Sequence, residues 1–389
     1  MRVPSYVLPI IVLSQFCCTS LWFAGNAVVG SLTQKLNLTE AAIGHITSAV
    51  QFGFITGTLV FAIYAIADRF SPSKVFFTCA VLGAVFNFAV IADFNSFATI
   101  LSLRFLTGFF LAGIYPVGMK IAADYFQKGL GKSLGYLVGA LVLGTAFPHL
   151  VKNFTTALPW KAVMLSTSVL AVFGGVLMLG FVKNGPYRKL NTQFDIKSWF
   201  KVFKNKPFRA AAFGYFGHMW ELYAFWAFVP VMLVTYNGLH QEPAFNVPIC
   251  SFLIIGLGSL ACVAGGYLSQ RFGEKKTAAS ALLLSGCCCL ASPLAFLYAP
   301  PVIFIGFIIF WGLVVIADSP LFSTIVAKNA AVEIKGTALT ITNCIGFAIT
   351  IFSIQLITLL STSWSATHAY MLLAIGPVFG LLALYSKKP

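Results

Sequence analysis

Two stretches decide how this chain is organised: YAIADRFSPSK at residues 64–74 and GYLSQRFGEKK at residues 266–276. Each is a knot of charge set between two long apolar runs, in a chain that is 59% hydrophobic and only 9% charged. Arg69 and Arg271 stand 202 positions apart, about half of the 389-residue chain. A repeat of half the chain length marks a duplicated domain.

The apolar runs around the knots have the length of membrane spans. Soluble domains are roughly a quarter charged, and a mean hydropathy of +0.90 lies far outside their range. A helix needs about 20 apolar residues to cross a hydrocarbon core of about 30 Å. Measured against that length, the sequence predicts twelve spans, near 6–31, 42–66, 74–94, 98–122, 133–153, 161–182, 208–235, 247–269, 277–298, 301–324, 336–361 and 366–386. The first run follows Arg2 but is too long for the apolar core of a secretory signal, so it is expected to be a retained helix. The nine cysteines all fall inside spans without metal-ligand spacing, and are expected to pack as small apolar residues.

A net charge of +15 raises the question of a nucleic-acid partner. The charges answer it, because they alternate between loops. With a cytoplasmic N-terminus, 21 of the 25 basic residues fall on the cytoplasmic side; Lys35, Lys152 and Lys161 lie outside, and Arg104 lies within a span. The positive-inside rule then puts both termini in the cytoplasm, and the basic excess needs no nucleic acid. The longest polar segment, about 183–207, follows the sixth span and divides the chain into units 1–182 and 208–389. Its stretch SWFKVFKNK mixes aromatics with lysines, which suits either a helix lying at the membrane surface or a plain basic linker.

Twelve spans, a central basic loop and a duplicated charged loop together resemble a transporter of the major facilitator superfamily. That family's loop between the second and third spans reads G-x-L-x-D-R-x-G-R-K. Here Asp68 and Arg69 match, Tyr64 stands for the first glycine, Ile66 for the leucine, and Ser71 and Pro72 replace the later glycine and arginine. The second copy keeps Gly266, Leu268, Arg271, Gly273 and Lys275, with Gln270 in the place of the acid. The resemblance implies an all-α membrane protein of two pseudo-symmetric six-helix bundles, with Asp68, Arg69 and Arg271 in gating. Asp124, in an acid-aromatic-aromatic element ahead of a basic loop, is expected to act with them. The same resemblance associates Arg104, in an R-x-x-x-G pattern with Gly108, with proton coupling.

Charges at membrane depth are costly unless they are paired or line a water-filled cavity, so each is a candidate for function. Glu221 lies in the middle of the seventh span and His218 three residues earlier on the same helical face, where the two can share a proton. A carboxyl in such a setting resists ionisation, as proton carriage requires. Asp318 sits beside Pro320, which should break the tenth span and leave carbonyls in need of partners. Proton coupling is therefore expected to involve Glu221, His218, Arg104 and Asp318. Substrate contacts are expected from Asn26, Gln51, Tyr223, Trp226 and Asn343, whose polar tips or ring faces suit an amphipathic or cationic ligand.

These residues point to a secondary transporter that moves a small organic solute by alternating access, coupled to protons, and acting as a monomer in a bacterial-type inner membrane. An efflux pump for hydrophobic or cationic compounds is the alternative. The fifth span weakens that reading, since Gly135, Gly139, Gly144 and Pro148 depart from the antiporter spacing G-x-x-x-G-P-x-x-G. Small inorganic anions are disfavoured, because the second and eighth spans lack the paired arginines of nitrate porters. No nucleotide loop, zinc motif or nucleophile elbow is present, so neither a cofactor nor an enzymatic reaction is expected, and a membrane receptor is the remote reading.

Overall fold

The computed structural model describes residues 4–39, 41–126, 130–154, 160–188, 202–240, 244–330, 335–363 and 366–386. Among them are twelve helices long and apolar enough to cross a membrane: α1 (Val7–Leu36), α2 (Ala42–Ile63), α3 (Pro72–Ala89), α4 (Phe97–Tyr125), α5 (Ser133–Phe154), α6 (Lys161–Phe181), α7 (Lys206–Leu239), α8 (Val247–Phe272), α9 (Glu274–Tyr298), α10 (Pro301–Asn329), α11 (Gly336–Ser361) and α12 (Thr367–Tyr385). The predicted spans fall on these helices, with the largest differences at helix ends. Residues 90–94 form turns rather than the end of α3, and α10 runs five residues beyond the expected 324.

Helix starts are written in local chemistry. Ser96 accepts a bond from the Thr99 N–H at 3.2 Å, Asn205 from Phe208 at 3.3 Å and Asn246 from Ile249 at 3.2 Å. Each side chain satisfies one of the backbone donors that a helix N-terminus leaves free. Pro207 of α7 lies within the first two positions of its helix, where no N–H is missed.

The two charged knots fold differently, for reasons visible in their residues. In the first, Ala65 takes a left-handed conformation (φ 49°, ψ 41°), a short helix Ile66–Arg69 follows, and extended Ser71 leads into Pro72 at the start of α3. In the second, the helix that begins at Gly258 runs through the start of the knot to Phe272 and stops at Gly273, whose φ of 85° is open to glycine and strained for other residues. The copy with a glycine ends its helix cleanly; the copy with Ser-Pro needs an extra turn.

Contacts divide the chain into two compact units, Met1–Phe194 and Asp195–Pro389. Their internal packing repeats. In the first, α1 packs on α5 and α6, α2 on α4, and α3 on α4 and α6. In the second, α7 packs on α11 and α12, α8 on α10, and α9 on α10 and α12. The repeat extends to single residues. A Cβ on Gly108 of α4 would run into the Val50 carbonyl of α2, and one on Gly312 of α10 would lie 2.6 Å from the Ile254 carbonyl of α8. Both pairs of positions are 204 residues apart, so the same close backbone approach is built twice.

Among the described residues five spans depart from a continuous α-helix: α1 between Thr19 and Ala24, α4 between Leu111 and Tyr115, α8 at Leu257, α10 at Asp318, and α12 at the 3-10 turn Tyr370–Ala374. Backbone groups freed inside a membrane must find partners within the protein. Hydroxyls supply several of them. Thr19 donates to Gln15 O at 2.8 Å and Ser20 to Cys17 O at 2.7 Å at the break in α1. Pro293 inside α9 cannot donate to Cys289 O, and Ser292 does so at 2.7 Å.

Candidate functional site

In the second unit, α7 and α10 meet in two rungs. The upper rung is Glu221, which is fully buried; its Oε1 accepts from Trp311 Nε1 at 2.6 Å and from the Cys289 thiol at 3.2 Å, and its Oε2 accepts from Ser285 Oγ at 2.8 Å. The lower rung is His218, whose Nδ1 lies 2.8 Å from Asp318 Oδ1 with both side chains 1% exposed. This contact has the distance of an ion pair without the alignment of a hydrogen bond, and His218 Nε2 and Asp318 Oδ2 have no hydrogen-bond partner among the described residues. Three residues advance α7 by about 4.5 Å, so one helix face presents both groups to α10 in succession. His218 and Glu221 thus share a face, as expected, but each meets its own partners.

The partners of Glu221 come from α9 and α10; Ser285 and Cys289 stand one helical turn apart on α9, but none of the three partners carries a charge that would single it out in an apolar span. A search for indole, hydroxyl and thiol groups in apolar spans of the same unit would have raised them. Asp318 sits at the break expected from Pro320. The Ile316 carbonyl, which that proline cannot bond, receives the Cys262 thiol of α8 at 3.8 Å and the N–H of Asp318 itself.

The buried charge of the first unit is treated in another way. Arg104 is fully buried and donates from Nη2 to Leu21 O at 2.8 Å and Trp22 O at 2.7 Å, and from Nη1 to Asn87 Oδ1 at 2.7 Å. The two carbonyls belong to the break in α1. Asn87 in turn donates to Met164 O, Thr167 Oγ1 and Ser168 Oγ of α6 at 2.9–3.1 Å. Arg104 therefore ties α1, α3 and α6 to α4 through neutral acceptors.

The other expected residues are spread over both units. Asn26 donates to Thr47 Oγ1 at 2.6 Å, and Gln51 is buried with its amide unbonded. Tyr223 packs edge-on against Trp226 at 5.3 Å and against Phe347 at 5.1 Å, and Asn343 Oδ1 accepts from Tyr215 at 3.2 Å. At the end of the first unit that carries the knot, Lys120 lies 3.0 Å from Asp68 and 3.5 Å from Asp124. Residues after α6 are stitched onto it: Arg188 donates to Asp68 O and Phe70 O at 2.8 and 2.7 Å, Ser73 to Val182 O at 2.6 Å and Tyr125 to Lys183 O at 2.8 Å. The expected linker from 183 thus begins as part of the first unit; of the stretch 198–206 considered for a surface helix, residues 198–201 lie outside the described residues, and 203–205 form a turn and bend that lead into α7. Arg69 and Arg271 are exposed, Arg271 lying 5.3 Å over the Phe272 ring, and Lys328 pairs with Glu274 at 2.7 Å. An open groove between α2 and α4, lined by Ala49, Phe52, Leu101, Ser102, Phe105 and Leu106, contains none of the titratable groups.

The sequence profile of the Major Facilitator Superfamily matches residues 11–354. The chain belongs to the major facilitator superfamily. No curated protein sequence matches this superfamily member. Among solved structures it is similar to a bacterial homolog of the human lysosomal transporter Spinster in an inward-facing, unoccupied conformation, with 14% identity, a TM-score of 0.73, and 98% of this chain and 95% of that one covered. It is also similar to a variant of the nucleoside transporter NupG, with 14% identity, a TM-score of 0.71 and 98% of both chains covered. A third is the proton:xylose symporter XylE bound to 6-bromo-6-deoxy-D-glucose, with 15% identity, a TM-score of 0.70, and 98% and 95% covered. The superfamily member is a multi-pass membrane transporter and not an enzyme.

Proposed function

We propose that this secondary transporter moves a small organic solute in step with protons, and that the α7–α10 rungs of Glu221, His218 and Asp318 carry the proton. The observation behind this reading is the concentration of two carboxyls and an imidazole on facing helices at membrane depth, where unpaired charge is costly. Glu221 is the proton-binding carboxyl, and the His218–Asp318 pair passes the proton along the same face. Arg104, spent on the break in α1, stands outside that path. XylE is by its description a proton:xylose symporter, so a member of this fold can couple in this way. Asp68, Arg69, Asp124 and Arg271 are the gating residues, Tyr223, Trp226 and Asn343 contact solute, and the chain works as a monomer with both termini in the cytoplasm of a bacterial-type inner membrane.

Liposomes loaded with a pH-sensitive dye test the proposal. Pentoses, nucleosides, amino acids and cationic dyes are added outside, and the internal pH is followed for wild type, Glu221→Gln and Asp318→Asn. Wild type should move protons in response to at least one small solute, and Glu221→Gln should exchange that solute without moving protons. Equal proton movement in Glu221→Gln removes it from the mechanism. A response to cationic dyes alone replaces the small-solute reading with efflux.

A further inference from the structure

The seam between α1 and α2 holds buried amide atoms that have no hydrogen-bond partner among the described residues. α2 presents two stripes. Val50, Gly53 and Gly57 pack on α4, while Thr47, Gln51 and Phe54, at i, i+4 and i+7, form a second buried stripe whose ends both touch α1. At one end Asn26 bonds Thr47; at the other the Trp22 and Phe54 rings lie 4.8 Å apart. Gln51 lies between them, fully buried, with neither Nε2 nor Oε1 bonded.

The orientation of Asn26 is fixed by its partner. Thr47 gives its hydroxyl proton to Ile43 O at 2.7 Å, so it can only accept from Asn26, which must offer Nδ2. Asn26 Oδ1 is thereby left without a partner among the described residues, and Thr47, which Asn26 bonds, stands one helical turn from Gln51, whose amide is unbonded as well. Buried polar atoms in folded proteins are almost always bonded, and the few exceptions call for an explanation. Here one donor, Gln51 Nε2, and two acceptors, Gln51 Oε1 and Asn26 Oδ1, belong to the same α1–α2 seam. The stretches Leu21–Asn26 and Thr47–Thr58 contain no ionisable side chain. Arg104, behind Gly25, spends Nη1 and Nη2 on Asn87 and the α1 carbonyls, while its Nε, beside Gly25, has no hydrogen-bond partner among the described residues.

We infer that Asn26 Oδ1 and the Gln51 amide form the subsite that reads an uncharged, hydrogen-bonding part of the solute, one that offers a donor and an acceptor on neighbouring atoms, as a vicinal diol or a lactam edge does. This deepens the reading of the chain as a carrier of a small organic solute and is independent of the proton site. Before solute enters, the unbonded amide is a standing cost to the fold, which the bound solute relieves.

The test is thermal unfolding of the full-length protein in detergent. D-xylose, D-glucose, uridine and adenosine serve as uncharged probes, and citrate, L-arginine and tetraphenylphosphonium as charged ones. At least one uncharged probe should raise the melting temperature of wild type. Gln51→Leu, which removes the unbonded polar atoms at similar size, should melt no lower than wild type without probe, yet bind that probe at least about tenfold more weakly, as the loss of one hydrogen bond implies. Stabilisation by charged probes alone, by none, or with a smaller loss in Gln51→Leu overturns the inference. If Gln51→Leu gives no folded protein, Gln51→Asn, which withdraws the amide by one methylene, takes the same measurement under the same criteria. A probe that binds wild type through Gln51 but moves no protons sinks the proton reading and leaves this subsite standing.

Discussion

The two units of this transporter share their geometry and differ in their chemistry. At a spacing of 204 residues, Gly108 matches Gly312, Val50 matches Ile254, Pro116 matches Pro320 and Trp22 matches Trp226. The same register pairs Arg104 with Ile308, Glu221 with Cys17 and His218 with Ser14. What recurs is what lets backbones approach or helices break. What does not recur is the buried charge: the first unit spends a guanidinium on neutral carbonyls, and the second holds carboxyls among an imidazole, an indole, a hydroxyl and a thiol. A duplicated scaffold therefore leaves each half free to take a separate task.

The largest effect should come from Arg104. Arg104→Leu strands the Leu21 and Trp22 carbonyls and Asn87 Oδ1, at roughly 1 to 3 kcal/mol for each buried acceptor, so about 3 kcal/mol or more in all. Arg104→Lys should recover only part of it, because a point charge on a flexible stem cannot reproduce the planar fork. At the matching position, Ile308→Leu should cost less than about 1.5 kcal/mol. Melting temperatures in detergent check all three, and equal losses at the two positions would break the comparison.

Next come the shared glycines. Gly108→Ala and Gly312→Ala each push a methyl group into a backbone carbonyl of the neighbouring helix, for about 1 to 3 kcal/mol of overpacking. Comparable shifts in melting temperature would sharpen the repeat; a loss confined to one of them would limit it to that unit. A smaller gain is expected where the knots diverge. Ala65→Gly relieves a left-handed alanine and should raise stability by under about 1 kcal/mol, because the freer unfolded chain takes back part of the gain.

The smallest effect lies outside the membrane, where Asp93 meets Lys161 at 2.7 Å and Lys35 at 2.8 Å. Those hydrogen-bonded ammonium groups hold its carboxyl down to about 2. A carboxyl lowered in the folded state contributes stability above its ordinary value near 4, and the contribution fades as pH falls from about 4 through about 2. The difference in melting temperature between wild type and Asp93→Asn should be small at neutral pH and shrink over that acid window, since an exposed pair is screened by solvent.

The spans were legible because a hydrocarbon core imposes a length on apolar runs, and the break in α10 because Pro320 announces it. The break in α1 was not, since Ser20 to Phe23 contain neither proline nor glycine and the cause is a tertiary one: Arg104 rewards the freed carbonyls. Glu221, His218 and Asp318 stood out as charges in apolar helices. Their pairing did not, because nothing in α7 says that Trp311 and Asp318, one rung apart, will face it. Backbone acceptors and a weak thiol donor leave no pattern in a sequence, and here they complete both sites.

The two principal breaks also differ in stiffness. In α1, two charge-assisted bonds from Arg104 pin the freed carbonyls, so bending there means breaking strong contacts. In α10, among the described residues the Ile316 carbonyl has a thiol at 3.8 Å and an N–H two residues on, and neither is a full-strength bond. The helix can flex about Asp318 at little cost. The first unit thus carries a fixed elbow and the second a compliant hinge, placed at the residue that holds His218.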